Sequence, residues 1–85
     1  MNQRAAIIKL VTALADQQGV THYAISMRIF GKGDFFQNMI EKGWDCRTRT
    51  AERVMRWFSD NWPSDLEWPS DIPRPPVSNG SKEVA

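Results

Sequence analysis

One cysteine and one histidine are all that this 85-residue chain offers of the two side chains most used in catalysis and metal binding. Cys46 has no second cysteine with which to close an intrachain disulfide or begin a metal-ligand spacing, so neither an oxidising compartment nor a zinc site is implied. In a basic loop without a resolving partner, it reads as an inert thiol. His22 stands near a helix start with no nucleophile placed alongside it and reads as a surface residue. The run Gly31-Lys32-Gly33 is a turn, too short to cradle a phosphate. No enzyme activity, metal, cofactor or small-molecule ligand is therefore expected. No apolar run approaches the roughly 18 residues that span a bilayer, and the N-terminus lacks the pattern of a signal peptide. The expectation is a soluble, cytoplasmic chain with no membrane partner.

What is present suffices for one small core. Hydrophobic residues make up 41% of the chain and charged residues 25%, a balance that supports a single domain. Four Trp, four Phe and four Met supply bulk, and the large apolar residues thin out after Trp68. Residues 1–58 hold nine Lys/Arg against five Asp/Glu, and residues 59–85 hold two against five. A basic body followed by an acidic tail suits a nucleic-acid binder with a non-contacting appendage.

Apolar spacing predicts four helices. Ile7, Leu10, Val11 and Leu14 repeat at i, i+3, i+4 and i+7 on one face of a first helix, which Gly19 ends. Thr21 can cap a second helix from about His22 to Phe30, with Ala24, Ile25 and Ile29 turned inward. Gly31-Lys32-Gly33-Asp34 reads as a tight turn, with Asp34 as the cap of a third helix from about Phe35 to Lys42, stopped by Gly43. Phe36 and Ile40 form its expected buried pair. After a loop from Trp44 to Arg47, Thr48 is the expected cap of a fourth helix carrying Ala51, Val54, Met55 and Phe58 on its inner face. Past Trp62, the unit Trp-Pro-Ser-Asp-apolar occurs twice, at Trp62–Leu66 and Trp68–Ile72, and its prolines forbid a continuing helix. The fold class is thus all-α: a compact four-helix domain over residues 1–62 containing a helix-turn-helix. An extended Pro/Trp-rich tail follows over residues 63–85, disordered from about Pro75 onward.

Two short helices joined by a glycine-containing turn and flanked by a helix on each side form the arrangement that places the second short helix in the DNA major groove. On that helix Gln37 and Asn38 carry amides able to make paired contacts with adenine, and Lys32 suits guanine or phosphate. Asp34 and Phe35 stand at the same end; Phe35 is read as partly buried, with its ring either in the core or against a thymine methyl. The expected base-contacting set is Lys32, Asp34, Phe35, Gln37 and Asn38. Arg47, Thr48 and Arg49 at the start of the fourth helix combine basic groups, a hydroxyl and free backbone N–H groups, which suits phosphate. With Thr21 and Lys42 they make the expected phosphate-contacting set. Arg53 and Arg56 read instead as a solvated face, with Glu52 and Arg56 paired at i, i+4.

The segment from Ile25 to Pro63 resembles the lambda-repressor-like (XRE-type) helix-turn-helix proteins of alphaproteobacterial and phage type. The resemblance rests on the order of Gly31, Lys42-Gly43 and Arg49-Thr50-Ala51-Glu52-Arg53-Val54. It implies sequence-specific binding of double-stranded DNA through the third helix, backbone contacts from the loop that follows, and a role as a small transcriptional regulator of repressor type. Since three or four reading side chains make a weak site alone, a homodimer on half-sites one helical turn apart is expected, with Trp57, Trp62 and Trp68 as its candidate surface. The competing reading is a protein-interaction module in which Trp62, Trp68 and the proline-rich tail dock onto a partner, unless those rings fold back over the core.

Overall fold

A computed structural model describes residues 3–44 and 47–76. Asp45, Cys46 and residues 77–85 lie outside it, and with them the expectations placed on the Cys46 thiol and on disorder beyond Pro76. Among the described residues four helices form: α1 (Gln3–Gln18), α2 (His22–Phe30), α3 (Phe35–Glu41) and α4 (Thr48–Asn61). None is long and apolar enough to cross a membrane.

The helix boundaries follow from local chemistry. Gly19, Gly31 and Gly43 all take positive φ, at 66°, 74° and 69°, which ends α1, α2 and α3 in the left-handed conformation that glycine adopts without steric cost. At the start of α2 the Thr21 hydroxyl accepts the Ala24 N–H at 3.2 Å, the expected cap. Neither Asp34 nor Thr48 acts as foreseen: Asp34 makes no side-chain cap bond, and Thr48 is the first residue inside α4, after an Arg47 that caps nothing with its side chain.

The two long helices supply the core. Ile7, Leu10, Val11 and Leu14 of α1 face Ala51, Val54 and Phe58 of α4, all of them buried, and Met55 is half-buried beside them. The short pair adds Ile25 and Ile29 from α2 and Phe36 and Met39 from α3. Burying each such side chain contributes about 1.5–3 kcal/mol. Met39, three residues after Phe36, takes the buried place expected of Ile40, which is 39% exposed. In a helix of seven residues both spacings lie on one broad face, and packing against α1 selects between them.

Aromatic rings form an unbroken row through this core. Phe30 meets Phe35 at 4.4 Å between centroids, Phe35 meets Phe36 at 5.2 Å, and Phe36 meets Phe58 at 6.2 Å. Phe58 then meets Trp62 at 6.2 Å, and Trp62 meets Trp68 at 5.0 Å. Most of these pairs are tilted or edge-on, the arrangements that the ring quadrupole favours.

The row reaches past α4 because residues 62–76 fold back along α1. This strap contains neither helix nor strand, as its prolines require, yet it is bonded at every step. In each repeat unit the apolar residue closes a turn onto the proline carbonyl, Leu66 N–H to Pro63 and Ile72 N–H to Pro69, both at 3.2 Å. Each indole N–H reaches four residues ahead, Trp62 to the Leu66 carbonyl and Trp68 to the Ile72 carbonyl, both at 2.7 Å. Each aspartate then finds a partner on α1: Gln17 donates to Asp65 at 3.1 Å, and Lys9 pairs with Asp71 at 3.1 Å. The strap closes on α4, where Arg74 lies over the Trp68 ring and donates to the Ser59 carbonyl at 2.8 Å, while the Ser59 hydroxyl donates to the Pro75 carbonyl. Pro75 is therefore ordered, contrary to the expectation that disorder begins there. Trp62, only 8% exposed, and the half-buried Trp68 cover the core.

Candidate nucleic-acid interface

The turn between α2 and α3 is shaped from inside. Ser26, fully buried on α2, donates its hydroxyl hydrogen to the Lys32 carbonyl at 2.6 Å and accepts the Phe35 N–H at 3.3 Å. It thus supplies the first turn of α3 with the acceptor that Asp34 was expected to provide, and the Asp34 carboxylate remains exposed. Gly33 is needed for space rather than for φ: a Cβ there would overlap the ring of Tyr23, which lies across the turn. The turn backbone is held between a buried hydroxyl on one side and a phenol ring on the other.

Two guanidinium groups hold the C-terminal turns of the short helices. Arg53 of α4 donates to the Ile29 carbonyl in the last turn of α2 at 2.9 Å and stacks over the Phe30 ring at 5.2 Å. Arg4 of α1 donates through Nε at 3.3 Å and Nη2 at 2.8 Å to the Met39 carbonyl near the end of α3. The last carbonyls of a helix lack intrahelical partners and carry its partial negative charge, so cationic donors suit them. Arg53 is exposed, as expected of a solvated face, and makes this contact in addition, while among the described residues no ion pair joins Arg56 to Glu52. A periodic run of arginines on an outer face carries no local sign that one of them turns back onto a neighbouring helix.

Of the expected base-contacting residues, Lys32, Asp34 and Gln37 are exposed, and Asn38 and Phe35 are half-buried. Phe35 is partly buried as expected, its ring lying tilted against Phe30 and edge-on to Phe36. Gln37 shares a shallow recess of about 370 Å³ with Ile40 and Glu41 of α3 and with Thr21, His22 and Tyr23 at the start of α2. The structure thus joins Thr21, from the expected phosphate set, to the outer face of α3. His22 is half-buried there, its Nε2 3.2 Å from the Thr12 hydroxyl.

Arg47, Thr48 and Arg49 are all exposed at the opening of α4. Lys42 is exposed as well, its ammonium 5.4 Å from the centre of the Trp44 ring. Trp44 at 54% and Tyr23 at 57% are the aromatic rings most open to solvent, whereas the tryptophans expected to form a dimer surface are not: Trp62 is buried, and Trp57 and Trp68 are half-buried. Sequence reasoning missed Ser26, Arg4 and the aromatic exposure at Tyr23 and Trp44. No family model, curated protein or solved structure matches the chain.

Proposed function

We propose that this chain binds double-stranded DNA sequence-specifically as a small transcriptional regulator, with α3 entering the major groove as the second helix of a helix-turn-helix. The observation that supports this reading above all is the build of the short pair. A four-residue turn joins α2 to α3, both short helices bury their inner faces against the two long ones, and Gln37 remains on the outer face of α3. Gln37 and Asn38 are the amides placed to read adenine, with Lys32 and Asp34 flanking them at the turn. Lys32, Asp34 and Gln37 are exposed and Asn38 is half-buried. Arg47, Thr48, Arg49, Lys42 and Thr21 supply the cations, hydroxyls and backbone N–H groups suited to phosphates.

Charge polarity agrees with this orientation. The acidic strap runs along α1 with Asp65 and Asp71 bound to it, while the cations at Arg47 and Arg49 belong to the opening of α4. Two copies on half-sites about one helical turn apart would raise affinity to the range a regulator needs. Selection from a random duplex pool, followed by titration of the enriched sequence against a scrambled duplex, tests the reading. Enrichment of a defined sequence bound at least about 1,000-fold more tightly than the scrambled duplex is expected. Equal affinity for both, or none for either, overturns it.

A further inference from the structure

The two guanidinium contacts bracket the reading unit. Arg53 grips the last turn of α2, just before the turn, and Arg4 grips the end of α3, after it. Each comes from a different long helix, α4 and α1, so between them they tie the C-terminal turns of α2 and α3, one on either side of the turn and the reading helix, to the scaffold. Arg53 also reaches the start of α3 through rings: its guanidinium covers Phe30, and Phe30 meets Phe35, the first residue of α3, at 4.4 Å. Arg49, one turn before Arg53 on the same helix, is a proposed phosphate contact. A single helix therefore carries both a backbone anchor and a contact on the reading unit.

The geometry points to Arg53 and Arg4 as positioning residues for base discrimination: they set where α3 sits relative to the phosphate-contacting end of α4, and neither touches DNA. This inference rests on the DNA-binding reading above. Its physical basis is the sensitivity of bidentate base contacts to placement, since a hydrogen bond weakens steeply once its angle falls toward 120°. Arg53 keeps an exposed side chain but commits Nη2 to the Ile29 carbonyl and its guanidinium face to Phe30, and in this positioning role it releases no counterion from the duplex. Truncating it should leave the salt dependence of binding intact, unlike truncating Arg49.

The test compares the wild-type protein with Arg53→Met, Arg4→Met and the conservative Arg53→Lys, each titrated with the selected duplex and with a scrambled duplex over a range of salt. The fraction of folded protein enters both affinities equally and cancels in their ratio, so a merely stabilising role leaves the ratio unchanged. The expected result is a fall in the ratio of roughly five- to tenfold for each methionine variant, within the range that one impaired base contact produces. Partial recovery is expected in Arg53→Lys, and a salt slope equal to that of the wild type in Arg53→Met. An unchanged ratio in both methionine variants overturns the inference while leaving DNA binding in place. A salt slope shallower by about one unit in Arg53→Met makes that residue a phosphate contact and overturns its positioning role. If the wild-type protein discriminates no sequence at all, the functional reading falls and the inference with it.

Discussion

Ser26 donates to the Lys32 carbonyl at 2.6 Å from inside the preceding helix, so the turn that launches α3 is fastened by a buried hydroxyl. The same oxygen accepts the Phe35 N–H. Replacing Ser26 by Ala leaves a part-buried N–H and carbonyl without their partner, which should cost about 1–3 kcal/mol. The midpoint of urea denaturation should fall accordingly with an unchanged slope. A loss below about 0.5 kcal/mol would mean that water replaces the hydroxyl and that the turn holds itself.

Removing the strap should be more damaging than removing a solvated tail. A chain ending at Asn61 loses the buried Trp62 and Ile72, the half-buried Trp68, and the bonds to Lys9, Gln17 and Ser59. Truncating one large buried aromatic alone costs about 3–5 kcal/mol, a large part of what a domain of this size possesses. The shortened protein should show a much weakened helical circular-dichroism signal at 25 °C. A cooperative thermal transition close to that of the full chain would show that the four helices stand alone.

Acid should loosen the strap at its Lys9 contact. The hydrogen bond and ion pair with Lys9 hold the Asp71 carboxyl below its usual value of 3.8. Because the folded value is depressed, the stabilisation is present above the unfolded value and is lost as pH falls below 3.8 through the folded one. Carboxyl titration by NMR should place Asp71 lower than a free aspartate, and Lys9→Met should return it to the ordinary range. Since the pair is exposed and screened, added salt should also shrink the shift. A carboxyl that titrates identically in both proteins would show that the pair does not persist in solution.

Reading and anchoring should separate by mutation. Gln37→Ala or Asn38→Ala should remove roughly 1–3 kcal/mol of discrimination at one base pair while sparing affinity for scrambled duplex. Arg47→Ala or Arg49→Ala should weaken binding to every sequence about equally and flatten the salt slope by about one unit each. If the amide variants keep their base preference, α3 is not the reading helix. If the double arginine variant keeps its salt slope, the opening of α4 touches no phosphate.

The helix boundaries were legible in the sequence because glycines and apolar spacing act locally. Gly19, Gly31 and Gly43 stop three helices where they were expected to, and Thr21 starts one. Less local features were not. Ser26 sits mid-helix, where a serine usually faces water, and its partners are fixed only once the turn folds over it. The choice of Met39 over Ile40 depends on which side of a seven-residue helix meets α1. The Trp-Pro-Ser-Asp repeat was visible, but its partners were not, for Asp65 and Asp71 lie 48 and 62 residues from Gln17 and Lys9. Gln37, picked out in the sequence, is exposed on α3 and Asn38 is half-buried there, whereas Arg4 and Arg53 looked like any other cation.

The doubled unit in the strap has a mechanical meaning. Its aspartates are six residues apart, while their partners on α1 are eight apart, about 12 Å along the axis and about 80° around it. Six extended residues could reach about 20 Å, and each unit spends the surplus on its turn. The strap therefore crosses α1 obliquely, in two equal strides. A pull on the C-terminal end meets the fastenings in series: the Arg74 clasp on Ser59, then the Asp71 stride, then the Asp65 stride. It would peel like a zip, tooth by tooth: α4 would take the load first at Ser59, and again through Trp62 only after both strides had let go.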